Sequence, residues 1–158
     1  MNSQRPEFVN LIGWEDLLVP SLMMGGDGGT LSTTGVAPEV MMKIYETARA
    51  GDWEEAKRMQ YRILDVFQAM IETPNFPEGF RAGYEIRGFE VGRARFPNSR
   101  EEMRRFESMR NKIACLLADF GFEEAASVCK MAQLDASSGS NAVDIQQIVR
   151  EVVSKLKS

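Results

Sequence analysis

The sequence predicts an α/β fold in which two short strands, each followed by a helix, precede a larger set of helices. Three observations support this prediction. Residues 8–12 form an apolar run that ends at Gly13, which is typical of a short buried strand. A glycine-rich turn at 25–29 leads into residues 30–34, whose partly β-branched composition predicts a second strand. Downstream of Pro38, apolar residues recur at helical spacing.

Each predicted strand leads through a loop into a helix. The first helix is expected over residues 15–24, with Pro20 as a point of kinking or loose structure. The second begins at Pro38, because a missing N–H costs nothing in the first helical turn, and Glu39 suits the positive helix end. In α/β proteins ligands bind beyond the carboxyl ends of the strands, so these two loops are the predicted functional region.

The remainder of the chain is predicted to be helical. Asp52, with Glu55 three residues later, and Ser99 are expected helix N-caps. The predicted helices cover residues 38–50, 53–72, 78–88, 100–120 and 122–134. The predicted organisation is βα units over 6–52, a helical extension over 53–134, a small-residue linker over 135–141 and an amphipathic tail helix over 142–158. Two strands do not make an independent sheet, so the chain resembles the end of a larger fold.

Composition narrows the classes of function. The net charge of −4 and the lack of a Lys/Arg cluster argue against a nucleic-acid partner. No apolar run approaches the ~20 residues of a membrane span, and no signal-peptide pattern is present, so a cytoplasmic protein without membrane contact is expected. The chain has no histidine, and neither a metal nor another cofactor is expected. Cys115 and Cys129 lie in apolar helical stretches, which favours buried reduced thiols over a disulfide or a nucleophile.

Several short motifs, in order, carry a resemblance over residues 6–120. They are Gly25 to Glu39, Ala48-Arg49-Ala50-Gly51-Asp52, Glu55-Ala56, Gln60, Phe80-Arg81-Ala82-Gly83, Gly88-Phe89 and Arg95-Phe96-Pro97. Together they resemble the C-terminal part of the dihydrodipicolinate synthase / N-acetylneuraminate lyase family. The resemblance implies a class I aldolase on a TIM (β/α)8 barrel, usually homotetrameric, that forms a Schiff base between pyruvate and a barrel lysine. The chain would then be the last two βα units plus the helical extension, with residues 8–12 and 30–34 as strands seven and eight.

The resemblance also implies a substrate site. The neuraminate-lyase branch carries Gly-x-acid-acid after strand seven, and Gly13-Trp14-Glu15-Asp16 matches it with the acids in the opposite order. That branch also carries a Ser-Thr pair after strand eight, which Ser32-Thr33 matches. The expected substrate-binding residues are Gly13, Glu15, Asp16, Thr30, Ser32 and Thr33. Paired carboxylates and hydroxyls suit a polyol. The alternative for the two acids is capping of a helix N-terminus. The family's asparagine after strand eight is Gly35 here.

No catalytic residue is expected in this chain. In the family, the Schiff-base lysine and the proton-relay tyrosine lie on strands before the seventh, and Lys43, Lys57 and Lys112 fall on predicted solvated helix faces. One hypothesis is therefore a portion of a pyruvate-dependent aldolase or lyase, acting on a 2-keto acid together with a missing barrel half. The other is a non-catalytic barrel remnant that acts as an interaction module. Unpaired strand edges predict a homo-oligomeric or aggregation-prone chain.

The tail over 142–158 resembles the encapsulation peptides that dock enzymes into bacterial microcompartments. Its apolar stripe is too short to fold alone and requires a groove or partner helix. A microcompartment shell protein is therefore one expected partner, with the compartment lumen as the location. Self-association and packing on the chain's own helices remain the alternatives.

Overall fold

The computed structural model describes residues 7–92, 95 and 97–140. Two short strands are embedded in a mainly helical chain, and a single 3-10 turn follows the first strand. In chain order the elements are β1 (Leu11–Ile12), the 3-10 turn (Glu15–Leu17), α1 (Leu18–Met23), β2 (Gly28–Gly29), α2 (Thr33–Val36), α3 (Pro38–Arg49), α4 (Trp53–Ile71), α5 (Glu78–Ile86), α6 (Arg100–Ala118) and α7 (Glu123–Ser140). The predicted order of strand, helix, strand and helices is confirmed.

The two strands are parallel, with Leu11 opposite Gly28 and Ile12 opposite Gly29. The prediction that residues 30–34 form the second strand is wrong, because the strand lies in the glycine-rich stretch before them. A Cβ on Gly29 would lie 3.2 Å from the Ile12 carbonyl oxygen and 3.0 Å from Leu31 Cγ, so close packing selects glycine there. The β-branched residues that suggested a strand begin α2 instead. Residues 8–10 lie outside β1, so the first predicted strand was too long.

The predicted helix over 15–24 is a 3-10 turn followed by α1. Pro20 is the third residue of α1, where the backbone nitrogen has no partner within the helix, so the helix accommodates it. The N-caps behave as predicted: Asp52 Oδ1 accepts from the Glu55 amide at 3.2 Å, and Ser99 with Glu102 forms a complete capping box. Gly51 ends α3 with a φ of +87°.

The apolar core lies among the helices. Its largest buried side chains include Ile44 on α3, Ile63, Phe67 and Met70 on α4, and Ile113 and Leu117 on α6. The strand pair is not buried as predicted, since Phe8, Val9 and Leu11 are 54–64% exposed. Among the described residues β1 and β2 pair only with each other, so no further strand flanks this pair, which is the physical reason for the difference.

Two predictions near the C-terminal end are wrong. Cys115 on α6 and Cys129 on α7 form a disulfide, with a Cα–Cα distance of 4.8 Å, rather than two reduced thiols. The turn at Gly121 folds α7 back on α6 and brings the two cysteines face to face. The small-residue segment is not a linker through residue 140, because α7 continues to Ser140, and alanine and serine are compatible with a helix. The predicted tail helix over 142–158 lies outside the described residues.

Candidate functional site

The loops after the two strands lie side by side, because the strands are parallel and adjacent. Gly13 directly follows β1, and Thr30 directly follows β2. The Thr30 amide donates to the Ile12 carbonyl at 2.8 Å and extends the pairing past the last strand residue. The geometry therefore brings both predicted substrate loops to the same end of the strand pair.

A buried hydrogen-bonded contact joins the two loops. Glu15 Oε1 accepts from the Thr33 amide at 2.9 Å and from the Thr33 hydroxyl at 3.1 Å. Glu15 is 2% exposed and Thr33 is fully buried. Thr33 is the first residue of α2, so the carboxylate occupies the positive end of that short helix. Neither Glu15 nor Asp16 caps the turn in which they lie, since that turn has no side-chain cap.

Asp16 is held by the helical part of the molecule. The Gln60 side chain, buried on α4, donates from Nε2 to the Asp16 carbonyl at 2.8 Å and accepts at Oε1 from the Val19 amide at 2.7 Å. The ring of Trp14 packs edge-on against Phe67 of the core, at 5.3 Å between centroids. Asp16 Oδ1 is buried without a hydrogen-bond partner among the described residues. Contacts with α4 thus hold the loop after β1 in place, and one oxygen of the Asp16 carboxylate has no hydrogen-bond partner among the described residues.

The other predicted site residues remain open to solvent. Gly13, Thr30 and Ser32 are exposed, whereas Glu15 and Thr33 are not. The six residues therefore divide into a buried pair that joins the loops and an exposed set that a ligand can reach, with Asp16 half-buried between them. That division was not visible in the sequence, because the motif gives the residue types but not their burial.

Asp27 fixes the opposite end of the strand pair. Its Oδ2 accepts from the Asn10 amide at 2.8 Å, and its own amide donates to the Asn10 carbonyl at 2.9 Å. The Tyr45 hydroxyl donates to the Asp27 carbonyl at 3.3 Å. Sequence analysis missed Asp27 as a determinant of register; its position immediately before the strand glycines was the available signal.

A pocket of about 210 Å³ lies beside the strands rather than in the loops. None of the six predicted substrate-binding residues lines it. Its lining is mainly apolar: Leu11, Leu18, Asp27, Gly28, Gly29, Leu31, Thr34, Met41, Met42 and Tyr45. The chemistry of this lining suits an apolar side chain better than a keto acid.

Within residues 7–92, 95 and 97–140, no group of three or more acidic, cysteine or histidine side chains is arranged to hold a metal ion. Nor does any helix in that part of the chain have the length and apolar character needed to cross a membrane. Lys57 pairs with Glu54 at 2.6 Å on the surface of α4, and Lys43 and Lys112 are exposed. These lysines lie where the sequence predicted them, on solvated helix faces.

The family model for the dihydrodipicolinate synthetase family matches residues 1–116, about three quarters of the chain. The chain belongs to this family. A DapA-like lyase of Thermofilum pendens is 31% identical over 91 residues, which are 58% of this chain and 30% of that protein. The 4-hydroxy-tetrahydrodipicolinate synthase of Methanopyrus kandleri is 34% identical over 91 residues, which are again 58% of this chain and 30% of that protein. The chain thus spans about a third of the length of these relatives.

Solved structures of TIM-barrel proteins share the fold of this chain. YagE, a dihydrodipicolinic acid synthase family protein from E. coli K12 solved with pyruvate, has a TM-score of 0.61 and 23% identity, over 73% of this chain and 39% of YagE. A variant of 2-keto-3-deoxygluconate aldolase from Sulfolobus solfataricus has a TM-score of 0.61 and 21% identity, over 77% of this chain and 42% of the aldolase. The few strands and many helices of the described residues fit part of such a fold.

Proposed function

We propose that this chain is the C-terminal portion of a Schiff-base, pyruvate-dependent aldolase or lyase. It supplies the loops after strands seven and eight of the barrel, and a separate barrel portion supplies the lysine that reacts with the 2-keto acid. The observation that carries the proposal is the buried contact between Glu15 and Thr33, which joins the two loops at the carboxyl ends of β1 and β2. Ligands of barrel enzymes bind at that end.

The exposed residues of the two loops have the chemistry that such a substrate requires. The backbone of Gly13 and the hydroxyls of Thr30 and Ser32 are accessible, and hydroxyl groups suit the carboxylate and keto oxygens of pyruvate. Asp16 adds a carboxylate for substrate hydroxyls, and we propose a sugar-acid substrate of the neuraminate-lyase type on this basis. Glu15 and Thr33 are buried and hold the two loops together, so they affect ligand binding by positioning the exposed residues and do not contact the ligand.

Borohydride trapping tests this proposal. The chain is co-expressed with the portion of the Methanopyrus kandleri synthase that precedes the matched region, and the pair is incubated with radiolabelled pyruvate and sodium borohydride. A covalent adduct is expected on the upstream polypeptide and none on this chain. Leu11→Asp, at a strand residue that is 56% exposed, tests whether the two portions dock through the sheet, because it charges the sheet surface without disturbing the helical core. It should abolish trapping. An adduct on this chain alone contradicts the assignment of the lysine to another portion.

The exposed strand residues also favour a second candidate, an assembly module without catalysis. Val9 and Leu11 are 64% and 56% exposed, and apolar side chains this exposed suit a surface that a partner covers. In that case the upstream portion co-purifies with this chain but no pyruvate is trapped.

We also propose that the tail over 142–158 docks a cytoplasmic homo-oligomer to a microcompartment shell. Fusing residues 136–158 to a fluorescent protein tests this, and failure of the fusion to co-purify with shells refutes it.

A further inference from the structure

Helix α5 packs directly against the loop that follows β2. Gly83, in the middle of α5, lies so close to Val36 that a Cβ there would be 2.9 Å from Val36 Cγ1. The next residue, Tyr84, and Arg87 one turn later contact the same segment. Two positions on α5 and the residue that caps its C-terminus therefore meet the short helix α2, which begins with Thr33.

Tyr84 fills the space beside Gly35. A Cβ on Gly35 would lie 1.8 Å from the Tyr84 hydroxyl oxygen and 2.7 Å from Cζ, so only glycine fits against this ring. Gly35 stands where the family resemblance places an asparagine, and the position of the phenol accounts for the absence of a side chain there. The Tyr84 ring is itself supported edge-on by Phe89, at 6.5 Å between centroids. The phenol thus limits how far α2 can move toward α5.

Arg87 holds the last residue of α2, next to the glycine that Tyr84 contacts. One of its terminal nitrogens donates to the Val36 carbonyl at 3.0 Å, and both reach the Glu39 carboxylate, the shorter contact being 2.8 Å. The guanidinium stacks on the ring of Phe122, 3.7 Å from its centroid, and the side chain is only 12% exposed. A charged, forked donor buried to this extent fixes its acceptors more firmly than a surface lysine would.

We propose that Tyr84 and Arg87 are positioning residues that set the conformation of the loop carrying Ser32 and Thr33. They act through Gly35 and Val36 and touch no substrate. The role in ligand binding rests on the proposed function, whereas the effect on the loop does not. The helical extension would thereby determine how well the second substrate loop is ordered, although it contributes no residue to the site itself.

Amide hydrogen exchange on the full chain tests the effect on the loop. The Thr34 amide donates to the Leu31 carbonyl just before α2, and the Ala37 amide just after α2 donates to the Thr33 carbonyl, so both report the opening of this helix. Arg87→Ala should speed their exchange about tenfold, and Arg87→Lys should do so less, because lysine keeps the charge but not the fork. Arg105→Ala, which breaks an exposed pair on α6, is the matched control and should leave these amides within about twofold of the parent chain.

A double substitution tests the contact of Tyr84 itself. Gly35→Ala should speed exchange of the same amides about tenfold in the parent chain, because the new methyl group meets the phenol. In the background of Tyr84→Ala the same substitution should have an effect below about twofold, since the obstacle is gone. Equal effects of Gly35→Ala in both backgrounds, or unchanged exchange in Arg87→Ala, would overturn the proposal.

The ligand role is tested in the reconstituted pair described above. Arg87→Ala should raise the pyruvate concentration for half-maximal trapping about tenfold and leave the maximal trapped fraction unchanged, because the reacting lysine is untouched. Faster exchange with unchanged pyruvate dependence refutes the ligand role and leaves the proposed function standing. If the parent chain supports no trapping at all, the proposed function fails, while the exchange measurements still decide the effect on the loop.

Discussion

The strand pair and the helices differ in how completely each buries its apolar residues. In the helices, Ile44, Ile63 and Phe67 are at most 2% exposed. Leu11 of β1 is 56% exposed, and Val9, just before that strand, is 64% exposed. The helices therefore bury their apolar side chains against one another, whereas the strand pair is held by backbone hydrogen bonds and leaves apolar side chains exposed.

The largest expected change in stability comes from truncating a buried side chain, compared with truncating an exposed one. Phe67→Ala should lower the free energy of unfolding by about 3–5 kcal/mol, because it leaves a cavity beneath Trp14 and Phe80. Leu11→Ala should lower it by less than about 0.5 kcal/mol, since that side chain is already mostly in water. Urea unfolding followed by circular dichroism measures both. Similar losses for the two variants would show that the strand pair belongs to the same cooperative core.

The disulfide offers the next largest effect. Linking Cys115 to Cys129 closes a segment with a sequence separation of 14, and Cys115→Ala with Cys129→Ala should lower the free energy of unfolding by about 3 kcal/mol. The loss should concentrate in α6 and α7, so exchange of amides in α1 and α2 should stay unchanged. Mass spectrometry after alkylation without a reductant checks the bond directly. Two alkylated thiols in the native chain would show that the cysteines are reduced, as the sequence analysis expected.

Within the site, the buried carboxylate of Glu15 has an intermediate effect. Glu15→Ala should cost about 2 kcal/mol, because the buried Thr33 amide and hydroxyl both lose their acceptor. Glu15→Gln keeps an oxygen there and should cost less. Measuring both in the parent chain and in Thr33→Val gives the coupling between the loops. Because Thr33→Val removes the hydroxyl but keeps the backbone amide, simply additive effects would show that the hydroxyl hydrogen bond does not couple the loops.

The sequence predicted the helices better than the strands, for a physical reason. Apolar periodicity and caps such as Asp52 and Ser99 are local signals, and the helix starts they predicted at residues 53 and 100 are confirmed. A strand of two glycines has no side-chain pattern, so its position depends on contacts with Ile12 and Leu31 that lie outside the local sequence. The disulfide likewise depends on the turn that pairs α6 with α7.

For the site, the sequence predicted residue types and their loops, and the strand pairing brings those loops together. It did not predict that Glu15 turns inward to Thr33, because burial depends on the whole arrangement around α2. Gln60 was noticed only as part of a motif, and its bonds to the Asp16 carbonyl and the Val19 amide appear only when α4 is packed beneath the first loop. Arg87 gave no signal at all, since its acceptors lie 48 and 51 residues away.

The smallest expected effect concerns the ion pair between α5 and α3. The hydrogen bond from Arg87 lowers the pKa of Glu39 below its ordinary value of 4.5. A carboxyl group whose pKa is lower in the folded chain adds stability above its unfolded pKa, and this is lost as the pH falls through the folded value. Because the Glu39 side chain is 57% exposed, Glu39→Gln should cost only about 0.5–1 kcal/mol at pH 7.

That difference between the parent chain and Glu39→Gln should shrink as the pH falls below 4.5 and disappear once the pH is below the lowered folded pKa of Glu39. The comparison isolates this one group. Glu102, whose pKa the Ser99 amide also lowers, is present in both chains and cancels. Thermal unfolding at a series of pH values between 7 and 3 measures the difference, and 0.5 M salt should reduce it at neutral pH. A gap that persists at pH 3 would mean that Glu39 acts by packing rather than by charge, and that Arg87 holds α2 through the Val36 carbonyl alone.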